Sequence, residues 1–121
     1  ANVAFVMMST AIYSQLDPKH PAAFSSKIVT GLLRGKLGFT GVVISDDLGN
    51  AKQVSGYGVG ARAVRFIAAG GDMVLTVNAS QAATMTAAVL ARAKSDPAFL
   101  DQLNAAVLRV LQAKQQAQLL P

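Results

Sequence analysis

Three short apolar runs, Val3 to Met8, Val42 to Ile44 and Met73 to Val77, set the tightest limit on how this chain can fold. Each is continuous rather than alternating in polarity, and each is rich in β-branched residues or Met. That is the pattern of strands in a parallel sheet covered on both faces. The segments between them carry helical periodicity. Ser25 or Ser26 can cap a helix with Ile28, Val29, Leu32 and Leu33 on one face, which Gly35 and Gly38 then stop. A second helix is expected over Ala61 to Ala69, with Val64, Ile67 and Ala68 inward and Arg62 and Arg65 outward, and Gly70 and Gly71 supply the left-handed turn after it. Ser80 is expected to start a third helix that ends near Lys94. Asp96-Pro97 then pairs a cap with a proline at the first position of a last helix, striped by Leu100, Leu103, Val107, Val110 and Leu111.

The order is therefore β-α-β-α-β-α-α. Strand centres are 38 residues apart (Phe5 to Val43) and then 31 (Val43 to Val74), near the roughly 31 residues per unit of an eight-unit barrel of about 250 residues. Such alternation predicts an α/β fold with parallel strands and right-handed helical crossovers. Three strands are too few to close a barrel. The chain also starts almost directly in a strand, so we expect it to be part of a longer polypeptide, with any targeting signal out of view.

Composition narrows the chemistry. There is no cysteine, so neither a disulfide framework nor a thiolate metal site can form. All six acids are aspartates: Asp17, Asp46, Asp47, Asp72, Asp96 and Asp101. The net charge of +5 is spread without a run of Lys or Arg, and aromatics make up only 6%. We therefore expect a solvated basic surface and no nucleic-acid partner. No stretch reaches the ~18 apolar residues of a membrane span.

The middle run ends Ile44-Ser45-Asp46-Asp47-Leu48. In parallel α/β folds functional side chains gather at the carboxyl ends of strands. Two adjacent acids there repel each other and lose solvation. Simple alternation puts Val42, Ile44 and Asp46 on one face and Ser45 and Asp47 on the other, so only one acid can enter the mouth. For Asp47, followed by Leu48-Gly49-Asn50, the competing role is a turn cap. Paired acids at a strand end would also suit a Mg²⁺-dependent phosphoacceptor module, but that needs a third acid at a neighbouring strand's carboxyl end. Asp72 begins its strand at the opposite end, and Val77-Asn78 supplies no charge.

The segment Lys36-Leu37-Gly38-Phe39-Thr40-Gly41-Val42-Val43-Ile44-Ser45-Asp46-Asp47-Leu48 resembles the nucleophile motif of glycoside hydrolase family 3. Likeness continues upstream in Val6-Met7-Met8, Asp17, Pro21-Ala22, Ser25 and Leu32-Leu33-Arg34. Downstream it continues in Ala69-Gly70-Gly71-Asp72-Met73-Val74-Leu75 and in Ala105 to Lys114. The resemblance implies that residues 1–121 are the C-terminal part of a TIM (β/α)8 catalytic barrel, an incomplete domain holding strands six to eight. It implies that Asp46 is the nucleophile of a retaining glycosidase, with Ser45, Asp47 and Met8 beside the substrate. Asp47-Leu48 after Asp46, where the family's glucosidase branch has Trp, resembles the β-N-acetylhexosaminidase branch; a β-glucosidase type and an inactive fragment are the alternatives. That branch takes its acid/base from an Asp-His pair after the fifth strand, which lies outside this chain. No metal or organic cofactor is implied. The partners implied are a carbohydrate substrate and either the missing N-terminal half of the barrel or a second copy of the chain.

The sequence departs from the family at two places. Met8-Ser9-Thr10-Ala11 stands where Met-x-x-His is common, and Gly49-Asn50 where Gly/Ser-Met is usual. Of the other polar candidates, His20 and Asp17 lie in a proline-flanked loop and read as surface-turn residues. Asp96 reads as a helix cap, Asp101 as a helix-face residue, and Ser55 to Gly60 as a flexible glycine-rich loop.

Overall fold

The computed structural model describes residues 2–121. Three parallel strands, β1 (Phe5–Met8), β2 (Val42–Asp47) and β3 (Met73–Leu75), form one sheet in the order β1-β2-β3. The expected strands are thus present, parallel and in sequence order. Between β1 and β2 runs a π-helix, Lys27–Lys36, and β2 is joined to β3 through α1 (Val59–Ala68). Two helices follow the sheet, α2 (Ala82–Ser95) and α3 (Pro97–Gln116).

Local chemistry accounts for most of the boundaries. Of the two candidate serines, Ser25 supplies the cap: its hydroxyl accepts from the Ile28 N–H at 3.3 Å, and Ser26 makes no cap bond. The π-helix runs past Gly35 to Lys36, and Gly38, with φ +69°, reverses the chain. Gly70 turns the chain into β3 with φ +109°. Gly71 is needed for a different reason, since a Cβ there would collide with the Phe66 ring. Asp96 accepts from the Phe99 N–H at 3.2 Å with Pro97 next, as expected for the start of α3. The start of α2 differs from expectation. Ser80 lies inside a short 3-10 turn, Ala79–Gln81, that Asn78 caps, and α2 begins after it at Ala82 without a side-chain cap.

Helices cover one face of the sheet. Met8 and Val43 point to that side and pack with Val29, Leu48, Val54, Phe66 and Met85. A second cluster, Ile67, Ala93 and Phe99, joins α1, α2 and α3. The other face carries Phe5 and Met7, 47% and 60% exposed, in register with Val42 and Ile44. On α3 the expected stripe is rotated. Phe99 and Ala106 are the buried positions, whereas Leu100, Val107 and Leu111 are exposed. Helix α1 brings a second correction: Ala68 is exposed and Arg62 is buried.

At the amino end of the sheet, Asp72 has no exposed side-chain surface. Its Oδ2 accepts from Arg34 Nη2 and from the Val43 N–H at 2.8 Å, and its Oδ1 accepts from Arg109 Nε at 2.8 Å. Arg34 also donates to the Gly70 and Gly41 carbonyls, each at 3.1 Å. The π-helix, both edges of the β2–β3 step and α3 are thereby tied to one carboxylate.

Candidate active site

At the carboxyl end of the sheet, β2 and β3 are out of step. Ile44 pairs with Met73 and Asp47 with Leu75, so β2 uses three residues where β3 uses two. Around this irregularity each residue of Ser45-Asp46-Asp47 has its own environment. Ser45 is fully buried, and its hydroxyl accepts from the Leu75 N–H at 2.9 Å. Asp47 is half-buried. Its Oδ1 accepts from the Gly49 N–H at 2.9 Å and from the Val77 N–H at 3.2 Å, closing the turn and joining it to the end of β3. Asp46 is exposed at the strand tip, and among the described residues its one hydrogen bond is accepted from the Asp47 N–H, at 2.8 Å.

Of the four residues expected at the substrate, Asp46 alone is both at the tip and open. Asp47 sits beside it but is occupied by two backbone donors. Ser45 and Met8 are both buried. They are register partners on the helix-facing side of the sheet, where Ser45 holds β3 and Met8 fills the core at 8% exposure.

The turn after Asp47 is closely packed. A Cβ at Gly49 would run into Thr76 Oγ1 and Gln81 Oε1, so any larger residue has to displace both side chains. Residues 51–58 are a series of turns rather than a free loop. Tyr57 packs edge-on against Phe24 with ring centroids 5.1 Å apart, and the Arg65 guanidinium lies 4.7 Å from the centre of its ring.

The β1 loop contains the cluster that sequence reasoning undervalued. Asp17 is 4% exposed, and its Oδ2 accepts from Ser25 Oγ at 2.7 Å and pairs with His20 Nδ1 at 2.9 Å. Its Oδ1 takes the Lys19 N–H at 3.1 Å. The Ser25 hydroxyl, then the His20 ring, hold the Asp17 carboxyl well below the usual carboxylate range, against the opposing effect of burial. Asp17 is thus an internal anchor rather than a surface turn residue. The signal was its spacing of eight from Ser25, which only the folded loop converts into contact.

Two recesses are prominent, and neither touches Asp46. One, of about 860 Å³, lies at the amino end between Val3, Leu33, Phe39, Arg109 and Gln116. The other, of about 310 Å³, lies among Ile67, Met85, Val89 and Leu103 between helices. A barrel's mouth is made by the loops of all its strands, and this chain supplies three. Among the described residues no group of three His, Cys, Asp or Glu side chains is arranged to hold a metal, and no helix is long and apolar enough to cross a membrane.

Residues 1–113 match the model of the glycosyl hydrolase family 3 N terminal domain. The chain belongs to glycosyl hydrolase family 3. Its three βα units are accordingly part of a TIM-barrel-like fold. A solved β-N-acetylhexosaminidase from Beutenbergia cavernae superposes with a TM-score of 0.91 at 53% identity, over 93% of this chain and 33% of that one. A family 3 β-N-acetylglucosaminidase from a Paenibacillus species superposes with a TM-score of 0.88 at 33% identity, over 97% of this chain and 23% of that one. Among curated proteins, a β-hexosaminidase of Xanthomonas campestris is 37% identical over 103 residues, which is 85% of this chain and 31% of that protein. This family 3 chain therefore spans about a third of the length of that relative.

The Asp17 cluster predicts a pH dependence. A carboxyl whose folded pKa is depressed contributes stability that is complete above its unfolded value of about 3.9 and is lost as pH falls below it. Thermal melts of wild type and Asp17→Asn should therefore differ most at pH 5 to 7, with wild type higher, and converge as pH drops below about 4. Equal melting temperatures at pH 6 would contradict the anchoring role.

Proposed function

We propose that the protein carrying this chain is a retaining glycosidase with Asp46 as its nucleophile. The observation that carries this reading is the difference between two adjacent carboxylates: Asp47 is engaged by two backbone N–H groups, while Asp46 stands open at the strand tip. A weakly held carboxylate at that position is suited to attack on an anomeric carbon. In the first step an Asp46 oxygen bonds to C1 and the C1–O bond to the leaving group breaks, with a proton delivered to the departing oxygen. In the second, water attacks C1, the Asp46–C1 ester bond breaks, and the same proton-transferring group takes the water's proton. Two inversions return the sugar with its original configuration.

The proton-transferring group belongs to the rest of the protein. The chain has no Glu, and its one histidine, His20, is paired with Asp17. Residues 1–121 accordingly form the C-terminal part of the catalytic barrel. The remaining strands pair at the open edges of β1 and β3, and the side carrying Phe5 and Met7 faces the interior they enclose. The names of the similar proteins favour terminal β-linked N-acetylhexosamines as substrates, as does Leu48 directly after the acid pair.

In the full-length protein, Asp46→Asn should reduce turnover of an aryl β-N-acetylglucosaminide by at least about 10⁴-fold with the melting temperature retained, because the covalent route is removed. Asp47→Asn keeps one carbonyl oxygen for Gly49 and Val77 and should lose less. Wild-type turnover by Asp46→Asn would end the assignment. For the isolated chain, exposed apolar faces and open strand edges predict self-association. Size-exclusion chromatography should show species larger than a monomer, and a soluble, unaggregated monomer would contradict the barrel-completion reading.

A further inference from the structure

We propose that Arg62 is a positioning residue for the nucleophile, a role that rests on the assignment of Asp46 above. Arg62 lies on α1 at 8% exposure, and among the described residues no carboxylate is within ion-pair distance of it. An unpaired buried cation is expensive unless its N–H groups are satisfied. Three carbonyls satisfy it here. Nη1 donates to Leu48 O at 2.9 Å and to Gly49 O at 2.8 Å, and Nε donates to Tyr57 O at 2.9 Å. Leu48 and Gly49 directly follow the two aspartates.

The turn is therefore gripped from two directions. Arg62 holds its carbonyls from the helix side, and Asp47 collects the Gly49 and Val77 N–H groups from the sheet side. Asp46 has no comparable hold on its own side chain, because its one partner is the neighbouring Asp47 N–H. The aim of its carboxylate is thus inherited from the backbone that Arg62 fixes. A lysine cannot reproduce the grip, since one ammonium group replaces a rigid fork that reaches three acceptors. A displacement of about 1 Å at a reacting group is enough to lower the rate of the chemical step by about 10²-fold.

The test uses the full-length protein and a dinitrophenyl β-N-acetylglucosaminide. Arg62→Ala and Arg62→Lys should lower kcat by about 100-fold and at least about 10-fold, with KM changed less than about threefold. Millimolar guanidinium should restore part of the Arg62→Ala rate, whereas equal sodium chloride should not. Phe99→Leu, in the α1–α2–α3 cluster remote from the turn, controls for general loss of stability and should keep the wild-type kcat while folded. If Arg62→Ala does not fold, Arg62→Lys decides, because it preserves charge and most of the volume. Wild-type kcat in folded Arg62→Lys or Arg62→Ala overturns the proposal, as does a loss that guanidinium leaves untouched and Phe99→Leu reproduces. Asp46→Asn, run alongside, separates the two claims. Activity in that variant removes the nucleophile itself, whereas an inactive Asp46→Asn with fully active Arg62 variants removes only the positioning role.

Discussion

The Asp72 carboxylate is the interaction on which the arrangement of this chain most depends. It is buried at the amino end of the sheet between two guanidiniums and a backbone N–H. Arg34, Asp72 and Arg109 come from three distant parts of the sequence, so one buried group locks the π-helix, both strands and α3 together. Burying the charges is costly, and it is the completeness of the bonding that offsets this. Removing an arginine from this set leaves the fully buried carboxylate short of a partner, and breaking a buried pair in comparable sites costs about 3–5 kcal/mol. This lock sits at the end of the barrel where polar groups serve stability, and it leaves the opposite end free for groups that stability would not choose.

That opposite end divides its tasks among neighbouring residues. Ser45 fastens β2 to β3, Asp47 closes the turn, Gly49 lets the turn lie against Thr76 and Gln81, and Arg62 binds the turn's carbonyls from below. All of these are spent on holding backbone. Asp46 is the residue left over, and its openness gains meaning from how thoroughly its neighbours are used. The same logic applies to the β1 loop, where Asp17 gathers Ser25, His20 and the Lys19 N–H. Loops at this end are shaped by internal carboxylates rather than by apolar packing alone.

Much of this was legible from local signals. Continuous apolar runs located all three strands, Gly38 and Gly70 marked reversals that require positive φ, and Asp96-Pro97 marked the start of α3. Position along the strands placed Asp72 at the amino end and Asp46 at the carboxyl tip of β2. Residues whose environment is decided by distant partners were not legible. Arg62 reads as a solvent-facing charge by helical phase, and only the fold brings three carbonyls to it. Asp17 reads as a loop acid until Ser25 returns beside it. The shift in β2–β3 register past Ile44 is another such feature, since no periodicity in β2 alone reveals it. The α3 stripe misled for a related reason. Its apolar residues exceed what α1 and α2 cover, and Leu100, Val107 and Leu111 remain on the surface of this part of the fold.

The central claim is that Asp46 forms a covalent bond to sugar. It is tested most directly by trapping the glycosyl-enzyme in the full-length protein with an activated fluorosugar, one whose ester intermediate hydrolyses slowly. Peptide mass spectrometry should find a single added glycosyl group within the peptide containing Ile44-Ser45-Asp46-Asp47-Leu48, with fragmentation assigning it to Asp46. A label on Asp47 or on another residue, or turnover-dependent inactivation that leaves this peptide unmodified, would contradict the account.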